Sequence, residues 1–142
     1  MVTKNGTYLL EYNMRFGDPE TQVLMALMEN NLLDVIQDCM EGKDIELKFK
    51  DEKAICLVMC SGGYPRNIET GFEIVGEDKV KQSKLLYAGA ITKGDKVVSN
   101  GGRVLNIVAT GATYEDARKK VYEDASHVHF DYGFYREDIG KF

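Results

Sequence analysis

The pattern of apolar and polar positions divides the chain into two unlike parts. In the first part, the stretch from Thr7 to Phe16 is rich in strand-favouring and apolar residues and follows an Asn5-Gly6 turn. This pattern predicts a strand that ends at Gly17. A helix is predicted to begin at Asp18-Pro19, because a carboxylate caps free amides and a proline suits the first helical position.

A second helix and a charged stretch complete the first part. Apolar residues recur at helical spacing between Leu32 and Met40, and Gly42 after them is a typical helix stop. The residues that follow are mostly charged, with only weak alternation. We interpret residues 1–50 as one unit and residues 51–142 as another, and a surface hairpin over residues 42–52 is the alternative.

The second part changes to short apolar runs that are separated by glycine turns. Such runs predict strands at residues 54–61, 72–75, 85–90, 96–99 and 103–110. Asn100-Gly101 between the last two runs predicts a tight hairpin, because both central residues of such a turn need a positive φ.

One helix is predicted within the second part, from Tyr114 to about Ser126, with Thr113 as its cap. Four polar residues of this helix are expected to face water, namely Lys119, Lys120, Glu123 and Asp124. The other face carries Ala117, Val121 and Ala125, which are expected to pack on the sheet. The aromatic-rich tail after Ser126 is expected to pack back on the body, so the predicted fold class is α+β with one packed helix.

Composition narrows the possible partners. The chain has 142 residues, with 18 Lys and Arg against 23 Asp and Glu, so its formal charge is −5. No window holds the clustered cations that nucleic-acid binding needs, and no apolar run reaches the length of a membrane span. We therefore expect a soluble, cytoplasmic protein with no nucleic-acid or membrane partner; the sequence leaves its oligomeric state open.

The three cysteines indicate neither a disulfide nor a metal site. On one strand, Cys56 and Cys60 would lie about 13 Å apart at ~3.3 Å per residue, beyond the Cα separation of a disulfide. We expect these two and Cys39 to be buried thiols in a reducing compartment.

A polar cluster on an otherwise apolar stretch is the first candidate site. On a strand, Glu11 and Asn13 share one face, so they present a carboxylate and an amide oxygen side by side. Hard oxygen ligands of this kind suit Mg²⁺, and Arg15 on the same face would bind a phosphate or carboxylate. An edge strand with a solvated polar face is the alternative.

Three further features in the second part each have two interpretations from the sequence. Gly101, Gly102 and Arg103 form either an anion cradle or a plain hairpin turn with a surface arginine. The run Ser61-Gly62-Gly63-Tyr64-Pro65 lacks the spacing of a phosphate loop, so it is a strand-to-turn connection or lies near substrate. His127 and His129 have no third ligand nearby in sequence, so we expect tail packing or solvent contact.

A family resemblance gives these clusters a chemical context. The segment EYNMRFGDPETQ is similar to the carboxy-terminal metal-binding strand and helix of the ATP-grasp ligase family of glycinamide ribonucleotide synthetase, also called phosphoribosylamine-glycine ligase. The later segments CLVMCSGGYP, VVSNGGRVLNIVATG, TYEDARKKVYE and HFDYGFYREDIG match the terminal domain of that family in the same order. The resemblance runs from about Tyr8 to Gly140.

The resemblance implies a reaction and a set of ligands. The family joins glycine to 5-phosphoribosylamine with ATP, through a glycyl phosphate, in purine biosynthesis. By resemblance, Glu11 and Asn13 are ligands of Mg²⁺ or Mn²⁺. Arg15, on the same face, is the candidate for holding the phosphoryl or acyl-phosphate group. Analogy with related ATP-grasp enzymes assigns the ribose phosphate to Arg103 with Gly101 and Gly102.

The resemblance also implies an architecture. Residues 1–50 correspond to the carboxy-terminal strand and helices of the ATP-grasp domain, and residues 51–142 to a small β-rich, hybrid-motif-like terminal domain. The chain would then be the carboxy-terminal portion of a longer enzyme and inactive by itself. An independent, non-catalytic binding or oligomerisation module is the alternative.

Overall fold

The computed structural model describes residues 1–141. In chain order its elements are β1 (Val2–Thr3), β2 (Gly6–Thr7), α1 (Glu20–Leu27), α2 (Leu32–Met40), β3 (Lys53–Cys60), a short 3-10 helix (Glu77–Lys79), β4 (Lys84–Tyr87), β5 (Ala90–Lys93), β6 (Lys96–Ser99), β7 (Arg103–Gly111) and α3 (Tyr114–Ala125). The mixture of helices with antiparallel sheets confirms the α+β class.

A three-stranded antiparallel sheet organises the second part, with β7 between β3 and β4. One face of this sheet carries Leu57 opposite Ile107, and α3 packs on it through Val121. All three side chains are fully buried, as predicted for Val121. Burying an aliphatic side chain of this size contributes about 1.5–3 kcal/mol, so this layer is the stable core.

The other face of the same sheet meets α1. Because successive strand residues point to opposite sides, Cys56 and Val108 face away from α3. The helix α1 packs on β3 and β7 and lines a cavity that also includes Val108. The first part of the chain therefore touches the second part through this helix.

The predicted strand from Thr7 to Phe16 is wrong for most of its length. Only Gly6–Thr7 forms a strand, in a two-residue ladder with Val2–Thr3. Tyr8 still exchanges hydrogen bonds with Met1, but the residues from Leu9 to Phe16 belong to no ladder, since no strand within residues 1–141 pairs with them. A strand-like composition produces a strand only where a second backbone lies beside it.

The hairpin predicted at Asn100-Gly101 is also wrong. Strand β6 pairs with β5 through a turn in which Gly94 has a φ of +63°, whereas β7 pairs with β3 and β4 in the central sheet. Among residues 1–141, positive φ values occur at seven glycines, of which Gly94 is one, and not at Gly101 or Gly102. The chain therefore changes sheets at this turn instead of reversing within one sheet.

The helix predictions agree with the structure, with one difference at a start. The second helix has the predicted bounds, and the Asn31 side chain caps it by accepting from the Leu33 amide at 2.9 Å. The first helix begins after Pro19, and the Asp18 carboxylate does not cap it. The stretch at residues 42–52 forms no hairpin; a single bridge joins Phe49 to Met28.

The third helix is capped by Thr113 as predicted, with the Asp116 amide donating to its hydroxyl at 3.1 Å. The prediction that Asp124 faces water is wrong, since this residue is only 2% exposed. Its carboxylate accepts from the backbone amides of Lys81 at 3.2 Å and Gln82 at 2.9 Å. Burial favours the neutral acid, yet these hydrogen bonds and those from Ser83 together outweigh it and hold the pKa of Asp124 below its ordinary value.

The aromatic tail packs on the body as predicted. Phe130 is 1% exposed and belongs to the core beside α3. Phe134 exchanges backbone hydrogen bonds with Cys60 at the end of β3, at 2.8 and 2.9 Å. The tail is therefore joined to the end of β3 by a single β-bridge.

The first part of the chain is poorly buried by comparison. Neither α1 nor α2 contains a buried residue, and Gly17 is the one buried residue among the first 52. Large apolar side chains on its surface include Leu10, Tyr12, Met14, Leu33 and Met40. Among residues 1–141, no helix is long and apolar enough to cross a membrane.

Candidate functional site

Glu11 and Asn13 lie side by side although their segment is not a strand. The Asn13 Nδ2 donates to Glu11 Oε1 at 3.3 Å, and both residues are exposed. An extended backbone places residues i and i+2 on one side even without a ladder. The predicted pair of oxygen-bearing side chains is therefore present and open to solvent.

Arg15 follows on the same segment but contacts neither member of the pair. Its Nη1 donates to the carbonyl oxygen of Phe16 at 3.2 Å, and it forms no ion pair within residues 1–141. The guanidinium therefore keeps most of its N–H donors for another group.

Asp18 connects this segment to the second part of the chain. Its Oδ2 lies 3.1 Å from Arg103 Nη2, and its Oδ1 accepts from Gln22 Nε2 at 2.6 Å. Sequence reasoning missed Gln22, although its position four residues after Asp18 at a helix start is a recognisable signal. The expected capping role of Asp18 is replaced by this contact between the two parts.

Gly101 and Gly102 are explained by close approach. A Cβ on Gly101 would lie 3.0 Å from the Cα of Gly89, and one on Gly102 would lie 2.7 Å from Cε2 of Tyr64. Both contacts are tighter than side chains normally tolerate, so neighbouring backbone and ring require glycine here. The turn before Arg103 is thereby packed into a fixed position.

The Ser61–Pro65 loop lies against this turn. The Ser61 Oγ donates to the carbonyl of Gly101, and the Ser61 amide donates to that of Gly102, both at 2.8 Å. The Tyr64 ring covers Gly102. The structure thus joins two glycine-rich segments that lie far apart in sequence.

A cavity of about 490 Å³ opens beside Arg103. Tyr64, Cys60 and the tail residues Tyr135 and Arg136 contribute to its wall. Arg136 is held by Asp138 through two hydrogen bonds, at 2.6 and 2.9 Å. Arg103 makes one such contact, so it is the less engaged cation of this cavity.

The thiols in this region are not activated nucleophiles. Burial, with a smaller contribution from the charge of Asp18, raises the pKa of the Cys56 thiol to about 12. Burial also raises the pKa of Cys60, against an opposing effect of Arg103. All three cysteines are free, as expected, but Cys39 is exposed and the other two are half-buried, which corrects the prediction of burial.

Within residues 1–141, the two histidines belong to no group of potential metal ligands. His127 and His129 are both exposed, in line with the solvent contact expected for them. Within the described residues 1–141, no group of three or more His, Cys, Asp or Glu side chains is placed to hold a metal ion. The Glu11 and Asn13 pair would therefore bind a metal only together with ligands from outside these residues.

Comparison with known proteins gives a consistent result. The family described as "Phosphoribosylglycinamide synthetase, C domain" matches residues 54–142. The chain is 42% identical to the phosphoribosylamine–glycine ligase of Caldanaerobacter subterraneus and 45% identical to that of Clostridium acetobutylicum, over 98% and 99% of its own length. It spans about a third, 34%, of each of these relatives.

The fold is similar as well. The crystal structure of phosphoribosylamine–glycine ligase from Thermotoga maritima matches 97% of the chain with a TM-score of 0.84 and 37% sequence identity, again over 34% of that protein. The resemblance inferred from the motifs is thereby confirmed. The chain belongs to the phosphoribosylglycinamide synthetase C-domain family.

Proposed function

We propose that the chain forms the carboxy-terminal third of a cytoplasmic, ATP-dependent ligase that joins glycine to 5-phosphoribosylamine in purine biosynthesis. The observation that carries this proposal is the contact of Asp18 with Arg103 at 3.1 Å. It connects the segment that bears Glu11 and Asn13 with the glycine turn of the second part. Groups suited to a metal and to a phosphate are therefore linked in one arrangement.

The proposed reaction has two steps. A glycine carboxylate oxygen attacks the terminal phosphorus of ATP, so that ADP leaves and glycyl phosphate forms. The amine of phosphoribosylamine then attacks the acyl carbon, phosphate leaves, and the nitrogen loses a proton to give the amide. Charge collects on the phosphoryl oxygens in the first step, so cations and correct positioning lower its barrier most.

The pair at Glu11 and Asn13 fits a divalent cation. A carboxylate and an amide oxygen are hard ligands, and Mg²⁺ usually takes one or two protein ligands and completes its shell with water and phosphates. The Asn13 Nδ2 lies 3.3 Å from Glu11 Oε1, so a rotation of the Asn13 amide would turn its oxygen toward the Glu11 carboxylate. A bound Mg²⁺ or Mn²⁺ would neutralise charge on the phosphates of ATP.

Two arginines would hold the anionic parts of the substrates. Arg15, with most of its donors unused, is the proposed catalytic group beside the transferring phosphoryl. Arg103 is the proposed ligand of the ribose 5′-phosphate, together with the backbone of Gly101 and Gly102. The cavity of about 490 Å³ beside Arg103 supports this assignment.

The burial pattern supports the proposed division into residues 1–50, the end of an ATP-grasp domain, and residues 51–142, a hybrid-motif-like terminal domain. The family match begins at residue 54. The second part has its own buried core, whereas α1 and α2 contain no buried residue. Because α1 packs on the central sheet, α2 is the helix whose exposed apolar side chains indicate a partner outside these residues.

We further propose that residues 1–142 alone are inactive, since two metal ligands and two arginines cannot position three substrates. The self-contained core of the second part favours one other possibility, an independent binding or oligomerisation module. The two proposals make different predictions. A portion of a ligase should restore activity when it is joined to the missing segments of such an enzyme, and an independent module should not.

A chimera tests this. The carboxy-terminal third of the Thermotoga maritima ligase is replaced by this chain, and ADP release is measured with and without each substrate. We expect turnover that requires ATP, glycine and phosphoribosylamine, and none from the chain alone. A chimera that melts cooperatively but has no activity, or a chain that is active alone, would contradict the proposal.

A further inference from the structure

Asp18 uses its two carboxylate oxygens for two different side chains. Oδ1 accepts from Gln22 Nε2 at 2.6 Å, and Oδ2 faces Arg103 Nη2 at 3.1 Å. Gln22 lies on α1, one turn after Asp18, and Arg103 begins β7. The carboxylate is thus held from one side and holds the arginine on the other.

This contact is poorly suited to stabilising the fold. The side chains of Asp18 and Arg103 are 42% and 41% exposed, and exposed ion pairs contribute little because water and salt screen them. Its geometric effect is larger, since arginine is a long side chain that otherwise samples many rotamers. Fixing the guanidinium before a ligand arrives removes that entropy cost from binding.

Arg103 has donors beyond the one that Asp18 uses. A guanidinium carries five N–H groups in a planar fork, and one Nη atom is engaged here. The same residue lines the cavity of about 490 Å³, where Arg136 is already bound by Asp138. An incoming phosphate monoester would therefore meet Arg103 as the available cation.

We propose that Asp18 is a positioning residue for Arg103, orienting its guanidinium toward the phosphate monoester of the sugar substrate. This inference rests on the proposed function, in which Arg103 binds that phosphate. It assigns to Asp18, which lies outside the matched residues 54–142, a role in a site of the terminal domain.

Asp18 can also weaken phosphate binding by competing for Arg103. The sign of the change in phosphate binding when the Asp18 charge is removed distinguishes competition from positioning. A carboxylate 3.1 Å from the arginine competes with an incoming anion and repels it. If competition dominated, removing the charge of Asp18 would strengthen phosphate binding. If positioning dominates, removing it weakens binding.

The experiment uses the complete chimeric ligase and the variant Asp18→Asn, which keeps the size of the side chain. We expect the KM for phosphoribosylamine to rise about fivefold to tenfold, with kcat and the KM for ATP within about twofold of the parent. Gln22→Met, which removes the other partner of Asp18, should raise the same KM by a smaller factor. Asp38→Asn, an exposed carboxylate on α2, is the matched control and should change none of these values.

A double-mutant cycle separates this inference from the proposed function. If Asp18 acts through Arg103, Asp18→Asn has no further effect on the KM for phosphoribosylamine in an Arg103→Ala background. An unchanged KM in Arg103→Ala alone would overturn the phosphate site itself. A raised KM in Arg103→Ala with an unchanged or lowered KM in Asp18→Asn would overturn only the positioning role.

Discussion

The ring of Tyr64 lies directly on Gly102, so close that a Cβ there would stand 2.7 Å from the ring atom Cε2. This contact joins the Ser61–Pro65 loop to the turn that precedes Arg103. Neither segment is near the other in sequence, yet together they fix where β7 begins. A single methyl group at Gly102 should therefore disturb the proposed phosphate site.

We expect Gly102→Ala to lower the free energy of unfolding of the chain by about 1–3 kcal/mol, the usual cost of overpacking. Urea denaturation measures this. Tyr64→Ala combined with Gly102→Ala should recover part of the loss, because the clashing ring is gone. Equal stability of Gly102→Ala and the parent would mean that the loop moves aside freely.

Glu11→Gln should reduce ligation by the complete chimeric ligase about 100-fold or more, since a divalent cation contributes several kcal/mol to phosphoryl transfer. The loss should be partly relieved at high Mg²⁺ concentration. Glu29→Gln, another exposed carboxylate, serves as the control. Parent-level turnover by Glu11→Gln would remove Glu11 from the metal site.

Asp124 should make stability depend on pH. Its pKa is lowered in the folded chain, so its contribution is fully present above the ordinary pKa of an aspartate and is lost as the pH falls through the folded value. We expect Asp124→Asn to lower the free energy of unfolding by about 1–3 kcal/mol at pH 7. Urea titrations from neutral to acid pH should show the two proteins converging, and a constant difference would refute the assignment.

Core and surface leucines should respond differently in the chain alone. Leu57 is fully buried and Leu33 is 69% exposed. Leu57→Ala should lower the free energy of unfolding by about 2–5 kcal/mol, whereas Leu33→Ala should leave it almost unchanged.

The same pair tests the proposed domain division. If α2 packs on the remainder of an ATP-grasp domain, Leu33→Ala should become clearly destabilising in the complete chimera. Thermal melts of Leu33→Ala and its parent, in the chain alone and in the chimera, measure this. No change for Leu33→Ala in either context would argue against α2 being covered.

The isolated chain should bind Mg-ATP too weakly for calorimetry to detect at micromolar concentrations. Its proposed ATP contacts consist of one metal pair and Arg15, all exposed. The complete chimera, titrated in the same way, is the positive control. Tight nucleotide binding by the chain alone would favour an independent binding module.

The sequence correctly predicted those structural features that depend on residues close together in the chain. The bounds of α2, the cap of α3 at Thr113 and the buried face around Val121 follow from spacing and capping residues. Glu11 and Asn13, two residues apart, remain adjacent even though their segment is not a strand. The family resemblance rests on such local motifs as well.

Contacts between distant segments were decided by the tertiary structure alone. Gly101 and Gly102 are needed because Gly89 and Tyr64 lie too close for a side chain, and not because the backbone has a positive φ. Sequence spacing could not show this. It also could not show that Asp18 contacts Arg103 as well as Gln22 of the helix that follows it. Nor could it show that Asp124 is buried and accepts from the backbone amides of Lys81 and Gln82. Turn chemistry depends on a few adjacent residues, whereas strand pairing, close approach and ion pairing depend on which backbone the fold brings alongside.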